Sequence, residues 1–268
     1  MSSAGATNPD AQTLRELLTF AVEIAEEAGE HTLRYFRQGV AVERKQDESP
    51  VTVADRETER LLRARISTHY ADHRIVGEEY GTTESSSPWT WIIDPIDGTK
   101  SFIHGIPLYT VLIALTRNGK PLLGVIHNPV LEETVAAASG LGSTLNGHPC
   151  SVRSGVPLSD AWIQVTDPAD LFRRRPEFSS RLFQAAGSVR TWADAYGYLL
   201  VATGRADGMV DPVMNLWDVA PLVPILTEAG GLITDFTGGD AASGESAIAG
   251  TPEIQQRLLE LALETDRD

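Results

Sequence analysis

The sequence predicts a mixed α/β protein, α+β in its first half and α/β in its second, and three observations carry that expectation. An amphipathic pattern opens the chain, with Leu14, Leu17, Leu18, Ala21, Ile24, Ala25 and Ala28 recurring at helical spacing. Two apolar runs near the middle flank an Asn-Gly dipeptide, a strong short-range hairpin signal. Past Val156 short apolar runs alternate with helical stretches, the pattern of layered helices and strands.

Taken in order, the first helix turns its apolar stripe to a core. Residues 39–50 form a polar connection, and a second helix begins near Ala54, with Asp55 at its start and Leu61, Leu62 and Ile66 on its buried face. Short strands are expected at Ile75-Val76 and Trp91-Ile92-Ile93. Residues 108–115 and 121–127, joined through Arg117-Asn118-Gly119-Lys120, read as an antiparallel hairpin, with further strand over 133–138. In the second half, strands at 162–165 and 209–210 alternate with helices at 179–186 and 196–203, and a last helix lies near Leu261. Residues 82–88 and 238–244 are polar loops, the first either a plain connector or a flap.

A chain of 268 residues at 42% hydrophobic can build one large domain or two lobes. Two are expected: residues 10–150 as an α+β lobe carrying most of the acidic motifs, and 151–268 as an α/β lobe completing the site and its substrate pocket. The net charge of −15 argues against a nucleic-acid surface. The one dense basic cluster, Arg173-Arg174-Arg175, reads as a solvated helix end or loop before Pro176. No apolar run reaches membrane-spanning length, and Met1 to Asp10 lack a basic and apolar leader, so a cytoplasmic protein is expected. Cys150 is the only cysteine, which excludes an intrachain disulfide and a cysteine-rich zinc site.

The chemistry concentrates in Asp94-Pro95-Ile96-Asp97-Gly98-Thr99, directly after a strand-like run. Asp94, the Ile96 carbonyl and Asp97 are the oxygen donors a hard cation such as Mg²⁺ prefers. Pro95 stiffens the turn, Gly98 lets a ligand approach the backbone, and a helix starting at Thr99 would direct amides at a phosphate. Asp-Pro and Asp-Gly are also ordinary turn dipeptides. Two further acidic islands argue against that plainer reading: Gly77-Glu78-Glu79 after a short strand, and Asp218 within Asn215-Leu216-Trp217-Asp218-Val219-Ala220-Pro221 at a helix start.

These motifs resemble the magnesium-dependent inositol monophosphatase superfamily, whose Gly-Glu-Glu, Trp-Ile-Ile-Asp-Pro-Ile-Asp-Gly-Thr, Trp-Asp-Val-Ala and Glu-Ala-Gly-Gly patterns stand here at Gly77, Trp91, Trp217 and Glu228 onward. The resemblance runs from the helix near Leu14 to that near Leu261. It implies an αβαβα layered sandwich, a homodimer, and a small-molecule phosphate ester as substrate. It also implies that Glu78 rather than Glu79 is the direct ligand, and it places a lysine, here Lys45, near the acidic centre, where it either balances charge or snorkels.

Phosphate ester hydrolysis asks the site to neutralise phosphoryl charge, align water and stabilise a leaving alkoxide, which two or three Mg²⁺ ions can do. Glu78, Asp94 and the Ile96 carbonyl would hold one ion, and Asp94, Asp97 and Asp218 a second. Thr99 could orient the attacking water, and Asp55 could polarise Thr99, hold a third ion or cap its helix. His104 reads as structural or exposed. His69 and His73, four apart, lack a third ligand for zinc.

Substrate choice must come from elsewhere. The stretch Trp192-Ala193-Asp194-Ala195-Tyr196-Gly197-Tyr198, with Asp97 to Phe102 and Met214 to Asp218, resembles the histidinol-phosphate phosphatase branch of the family, although Ala195 departs from the cysteine of many relatives. A cationic amine and an imidazole would suit Asp194 or Asp211 and Trp192 or Tyr196. Asp211 would equally serve a substrate hydroxyl, and Tyr198 reads as core. Inositol phosphates, sugar phosphates and 3′-phosphoadenosine compounds remain alternative substrates, and a noncatalytic metal-binding regulator is the alternative of another class.

Overall fold

The computed structural model describes residues 9–46, 48–192, 194–243 and 245–265; most of the Met1 to Asp10 segment, Ala193 and Gly244 lie outside them. Asp10 accepts the Thr13 amide and starts α1 (Ala11–Leu33), whose buried stripe includes Leu14, Leu17, Ala21, Ile24, Ala25 and Ala28. The polar stretch that follows is not a plain connection. Its β1 (Val42–Arg44) and β2 (Pro50–Thr52) pair antiparallel, and three-residue strands are too short to display a period in sequence. Thr52 and Asp55 then form the capping box that opens α2 (Val53–His69), on which Leu62 and Ile66 are buried and Leu61 only partly so.

An eight-stranded sheet follows, built from β3 (Arg74–Gly77), β4 (Gly81–Thr82), β5 (Trp89–Asp97), β6 (Thr110–Arg117), β7 (Lys120–Asn128), β8 (Glu133–Ala138), β9 (Gly142–Leu145) and β10 (His148–Cys150). Its order is β10-β9-β8-β7-β6-β5-β3-β4, with β3 parallel to β5 and the other neighbours antiparallel. The short helix α3 (Thr99–Ile103) leaves the end of β5. Between β6 and β7, Asn118 at φ 51° and Gly119 at φ 80° supply the left-handed pair that an Asn-Gly hairpin requires.

The second half contributes β11 (Trp162–Val165), α4 (Pro168–Arg174), α5 (Pro176–Ala185), β12 (Ser188–Arg190), α6 (Ala195–Ala202), β13 (Gly208–Asp211), α7 (Leu216–Val219), α8 (Leu222–Glu228), β14 (Leu232–Thr234), β15 (Ala247–Gly250) and α9 (Pro252–Thr265). Its five strands run β12-β11-β13-β15-β14, parallel where β11 meets β12 and β13 and antiparallel elsewhere. The basic run closes α4: Arg173 and Arg174 pair with Asp170, and Arg175 lies over the Phe236 ring.

Strand alternation sets the layers. Val111, Ile113 and Leu115 of β6 join α1 and α2, whereas Leu112, with Ile126 and Val135, faces α6 and α8. The other side of those two helices meets Met209, Ala247 and Ala249 of the five-stranded sheet. Ile163, Val210 and Ile248 on that sheet's far face cover α5 and α9. The result is the αβαβα sandwich, with α6 and α8 as the inner layer. Being covered on both sides, α6 is buried throughout, which explains its unbroken apolar sequence. A fully buried leucine or valine there contributes roughly 1.5–3 kcal/mol. Among the described residues, no helix is long and apolar enough to cross a membrane.

Candidate active site

Strand β5 is interrupted where its acids begin. Asp94 lies opposite Leu112 and Asp97 opposite Thr110, so the ladder slips by one residue across Pro95-Ile96. Such a bulge re-aims side chains, and Pro95 has no amide to lose from the ladder. Asp94 Oδ1 accepts the Ile96 amide at 2.9 Å, and Asp97 Oδ2 accepts the Ala195 amide at 2.7 Å and the Thr110 hydroxyl at 3.1 Å. Gly98, at φ +81°, turns the chain into α3.

Asp218 arrives from α7, where it completes a capping box with Asn215; its Oδ2 accepts the Asn215 amide at 2.7 Å. One carboxylate oxygen from each of Asp94, Asp97 and Asp218 lies within 4.8 Å of the others, so these three could hold a metal ion. Glu78, at the end of β3, is within hydrogen-bonding reach of Asp94. Lys45 Nζ bonds Glu78 Oε1 at 2.6 Å and Glu79 Oε1 at 2.5 Å, so it balances charge rather than snorkelling to water. The Glu79 side chain is correspondingly buried.

Asp55 fills two of the places open to it. Its Oδ2 accepts the Thr52 amide at 2.7 Å as a cap, and its Oδ1 lies 3.5 Å from the Thr99 hydroxyl, which also donates to the Ile96 carbonyl at 3.2 Å.

Buried acids without enough cations resist ionisation. Burial, followed by Glu78, Asp97 and Asp218, holds the Asp94 carboxyl far above the usual range, and burial with Asp194 and Asp218 does the same to Asp97. Asp218 is pushed up to about 7, first by burial and then by Glu78 and Asp211. An all-oxygen donor set under this strain fits a hard divalent cation, whose charge would reverse the local penalty.

A cleft of about 430 Å³ opens beside the cluster, lined by Glu78, Gly98, Thr99 and Asp194, with Lys100, Ser101, Thr166 and Thr191. A smaller recess beside it, about 80 Å³, shares Asp194 and adds Asp97, Tyr198, Asp211 and Asp218. Burial and the Asp211 charge push Asp194 up to about 6, opposed by Lys100. Burial pushes Asp211 up to about 6 as well, against hydrogen bonds from Thr166 and Tyr198.

Not every expected residue joins them. Trp192 is exposed and tilted against Trp162 with centroids 5.7 Å apart, and the Tyr196 hydroxyl donates to Glu133 at 3.0 Å; neither lines the cleft or the recess. Tyr198 is more than core, since its hydroxyl donates to Asp211 at 2.9 Å. His104 is exposed, and His69 and His73 bond separately to the Arg65 carbonyl and the Trp91 indole. Thr166 and Lys100 also line the cleft, outside the expected set of site residues. Lys100 stands beside the phosphate-type turn and had a signal in its place; Thr166 had none.

Residues 13–267 match the model of the inositol monophosphatase family. The chain is 41% identical over 256 residues to a histidinol-phosphatase of Chlorobaculum parvum, covering 94% of this chain and 98% of the relative. It is 34% identical to an inositol-1-monophosphatase of Mesorhizobium japonicum, covering 91% and 94%. Among solved structures, a Thermotoga maritima IMPase superimposes with a TM-score of 0.86 at 30% identity, covering 94% of this chain and 98% of that one.

Proposed function

This chain belongs to the inositol monophosphatase family, and from that premise we propose that it is a Mg²⁺-dependent phosphate monoester hydrolase acting on L-histidinol phosphate in histidine biosynthesis. The observation that carries the reading is the meeting of Asp94, Asp97 and Asp218 next to a cleft, lined by Glu78 and Thr99, that is large enough for a small ester. In this reading Glu78, Asp94 and the Ile96 carbonyl would hold one ion, Asp94, Asp97 and Asp218 a second, and Asp55 would border a third position. When bound, the ions neutralise phosphoryl charge, acidify water and stabilise the leaving alkoxide.

The chain's own groups do the rest. Thr99 Oγ, set between Asp55 and the Ile96 carbonyl, holds its proton away from the cleft and so offers a lone pair to orient the attacking water. Gly98 and Thr99 line the cleft, where their amides would meet phosphate oxygens. Asp194 leans over Gly98 and would receive the substrate ammonium, which would in turn favour its ionised form. The substrate assignment rests on Asp194 and Asp211 rather than on Trp192 and Tyr196.

A second reading is favoured by one observation. Asp211 stands seven residues before Asp218, where the family uses an acid for a substrate hydroxyl, and an inositol-1-monophosphatase is among the relatives. The protein is further proposed to be cytoplasmic and homodimeric, with lobes meeting near residue 150. Phosphate release with Mg²⁺ tests the central reading. Histidinol phosphate should exceed inositol 1-phosphate in kcat/KM by about a hundredfold, near 2.7 kcal/mol of transition-state binding. Parity or reversal would remove the substrate assignment and leave the hydrolase.

A further inference from the structure

The geometry points to Glu59, a side chain outside the cleft, as the positioning residue that sets Glu78 for cation binding; the inference rests on the hydrolase reading above. Glu59 is fully buried on α2, one turn beyond Asp55. Its Oε2 accepts the Glu79 amide at 2.7 Å, and its Oε1 accepts the Tyr80 amide at 3.1 Å and Arg63 Nε at 2.7 Å. Arg63 Nη2 in turn donates to the Gly81 carbonyl. The pair therefore grips the β3–β4 turn at both its amides and its carbonyl, and Glu78 projects from the gripped segment.

Gly77 shows how close the grip is. A Cβ at that position would collide with Glu59 Oε1, so the turn approaches α2 as only a glycine permits. Burying a carboxylate is costly unless it is paired, and Glu59 is paired on every side with groups of this one turn and its own helix. A general packing role would be met more cheaply by an apolar side chain. The helix thus serves the site twice: Asp55 faces Thr99, and four residues later Glu59 fixes the peptide that carries Glu78.

Groups that hold a metal ligand in place contribute about 10- to 100-fold to metal affinity. The test is calorimetric titration of Mg²⁺ into wild type, Glu59→Ala and Glu59→Gln, each first shown to be folded by circular dichroism. Glu59→Ala is expected to bind Mg²⁺ at least about tenfold more weakly. Glu59→Gln, which keeps one acceptor, should lose more than twofold, and it decides the matter should the alanine variant fail to fold. At saturating Mg²⁺ the KM for phosphate ester should stay within about threefold of wild type, since no group in the cleft is altered. Binding within twofold of wild type by a folded variant overturns the inference and leaves the hydrolase reading intact. A wild-type protein that neither binds Mg²⁺ nor releases phosphate overturns both.

Discussion

The Ala195 amide donates to Asp97 Oδ2 at 2.7 Å, joining the start of α6 to the end of β5 across 98 positions of sequence. Asp194, immediately before that amide, is held at φ 41° and ψ −143°, a region that side-chain-bearing residues seldom occupy. Metal-candidate and substrate-candidate carboxylates are therefore mechanically connected, and Asp97 is both a donor to the cluster and the anchor of the neighbouring loop.

Replacing Asp97 by Asn separates these duties. The amide oxygen can still accept from Ala195 and Thr110, while one negative charge leaves a crowded, buried cluster. Hydrolysis should fall by at least about a thousandfold, and unfolding without Mg²⁺ should be unchanged or harder by about 1 kcal/mol. Urea denaturation beside a phosphate-release assay reads both. A destabilised Asp97→Asn protein with full activity would contradict the assignment.

Protons and Mg²⁺ should compete. Burial, with Glu78 second, pushes Asp218 up to about 7, so the cluster takes up protons as pH falls through that range. Affinity for Mg²⁺ must then drop in acid, by about tenfold between pH 8 and pH 6. Raising Mg²⁺ should correspondingly move the acid limb of the activity profile to lower pH. An acid limb that ignores Mg²⁺ concentration would exclude these carboxylates as ligands.

Mg²⁺ should also stabilise the fold by mass action, about 2.7 kcal/mol at a hundred times its dissociation constant. Asp218→Ala should reduce the rise in melting temperature on adding Mg²⁺, and chelation should reverse it. A wild-type melting temperature indifferent to both additions would count against the site.

The parts of this architecture legible in the sequence were those whose signal is local. Asp94 to Thr99 sit in one turn, and Asn118-Gly119 demands its hairpin whatever surrounds it. Glu59 could not be found that way, because on α2 it is spelled like any solvent-facing glutamate and only the distant return of Gly77 buries it. Tyr198 hid in an apolar run for the opposite reason: its ring belongs to the core, and only its hydroxyl reaches Asp211. Trp192 and Tyr196 are expected at the substrate as aromatic partners for an imidazole, but Trp192 packs against Trp162 and the Tyr196 hydroxyl turns to Glu133, contacts that chain position does not reveal. The five-layer order came from family resemblance, since periodicity alone does not say which two sheets share α6.

Away from the cleft, His127 should govern stability in mild acid. Its ring lies where a Cβ on Gly29 would come within 2.5 Å, and its Nδ1 meets the Thr134 hydroxyl at 2.9 Å. Burial pushes its pKa down to about 4, against 6.5 for the unhindered imidazole. Between those values the unfolded chain binds the proton and the folded one does not, so stability falls as pH drops from about 6.5 to about 4, by up to about 3 kcal/mol. His127→Gln retains a partner for Thr134 and removes the titration. Its urea midpoint should vary less between pH 7 and pH 5 than that of wild type; an equal slope would assign the acid sensitivity elsewhere.

The sharpest test of substrate class is Asp194→Asn. Asp194 lines both the cleft and its recess, and its Oδ2 occupies the space beside Gly98. If this carboxylate pairs with an ammonium in a site largely shielded from water, removing its charge costs about 2–3 kcal/mol, or roughly 30- to 150-fold in kcat/KM for histidinol phosphate. Inositol 1-phosphate, which has no cation, should change by less than about threefold, and Mg²⁺ affinity should weaken by about threefold at most, because a neighbouring negative charge is being removed rather than a ligand. The ratio of the two substrates is therefore the informative quantity. An equal loss for both would make Asp194 a general support of the α6 start, through Ala195 and Asp97, and would return substrate choice to Asp211 and the hydroxyl-binding reading.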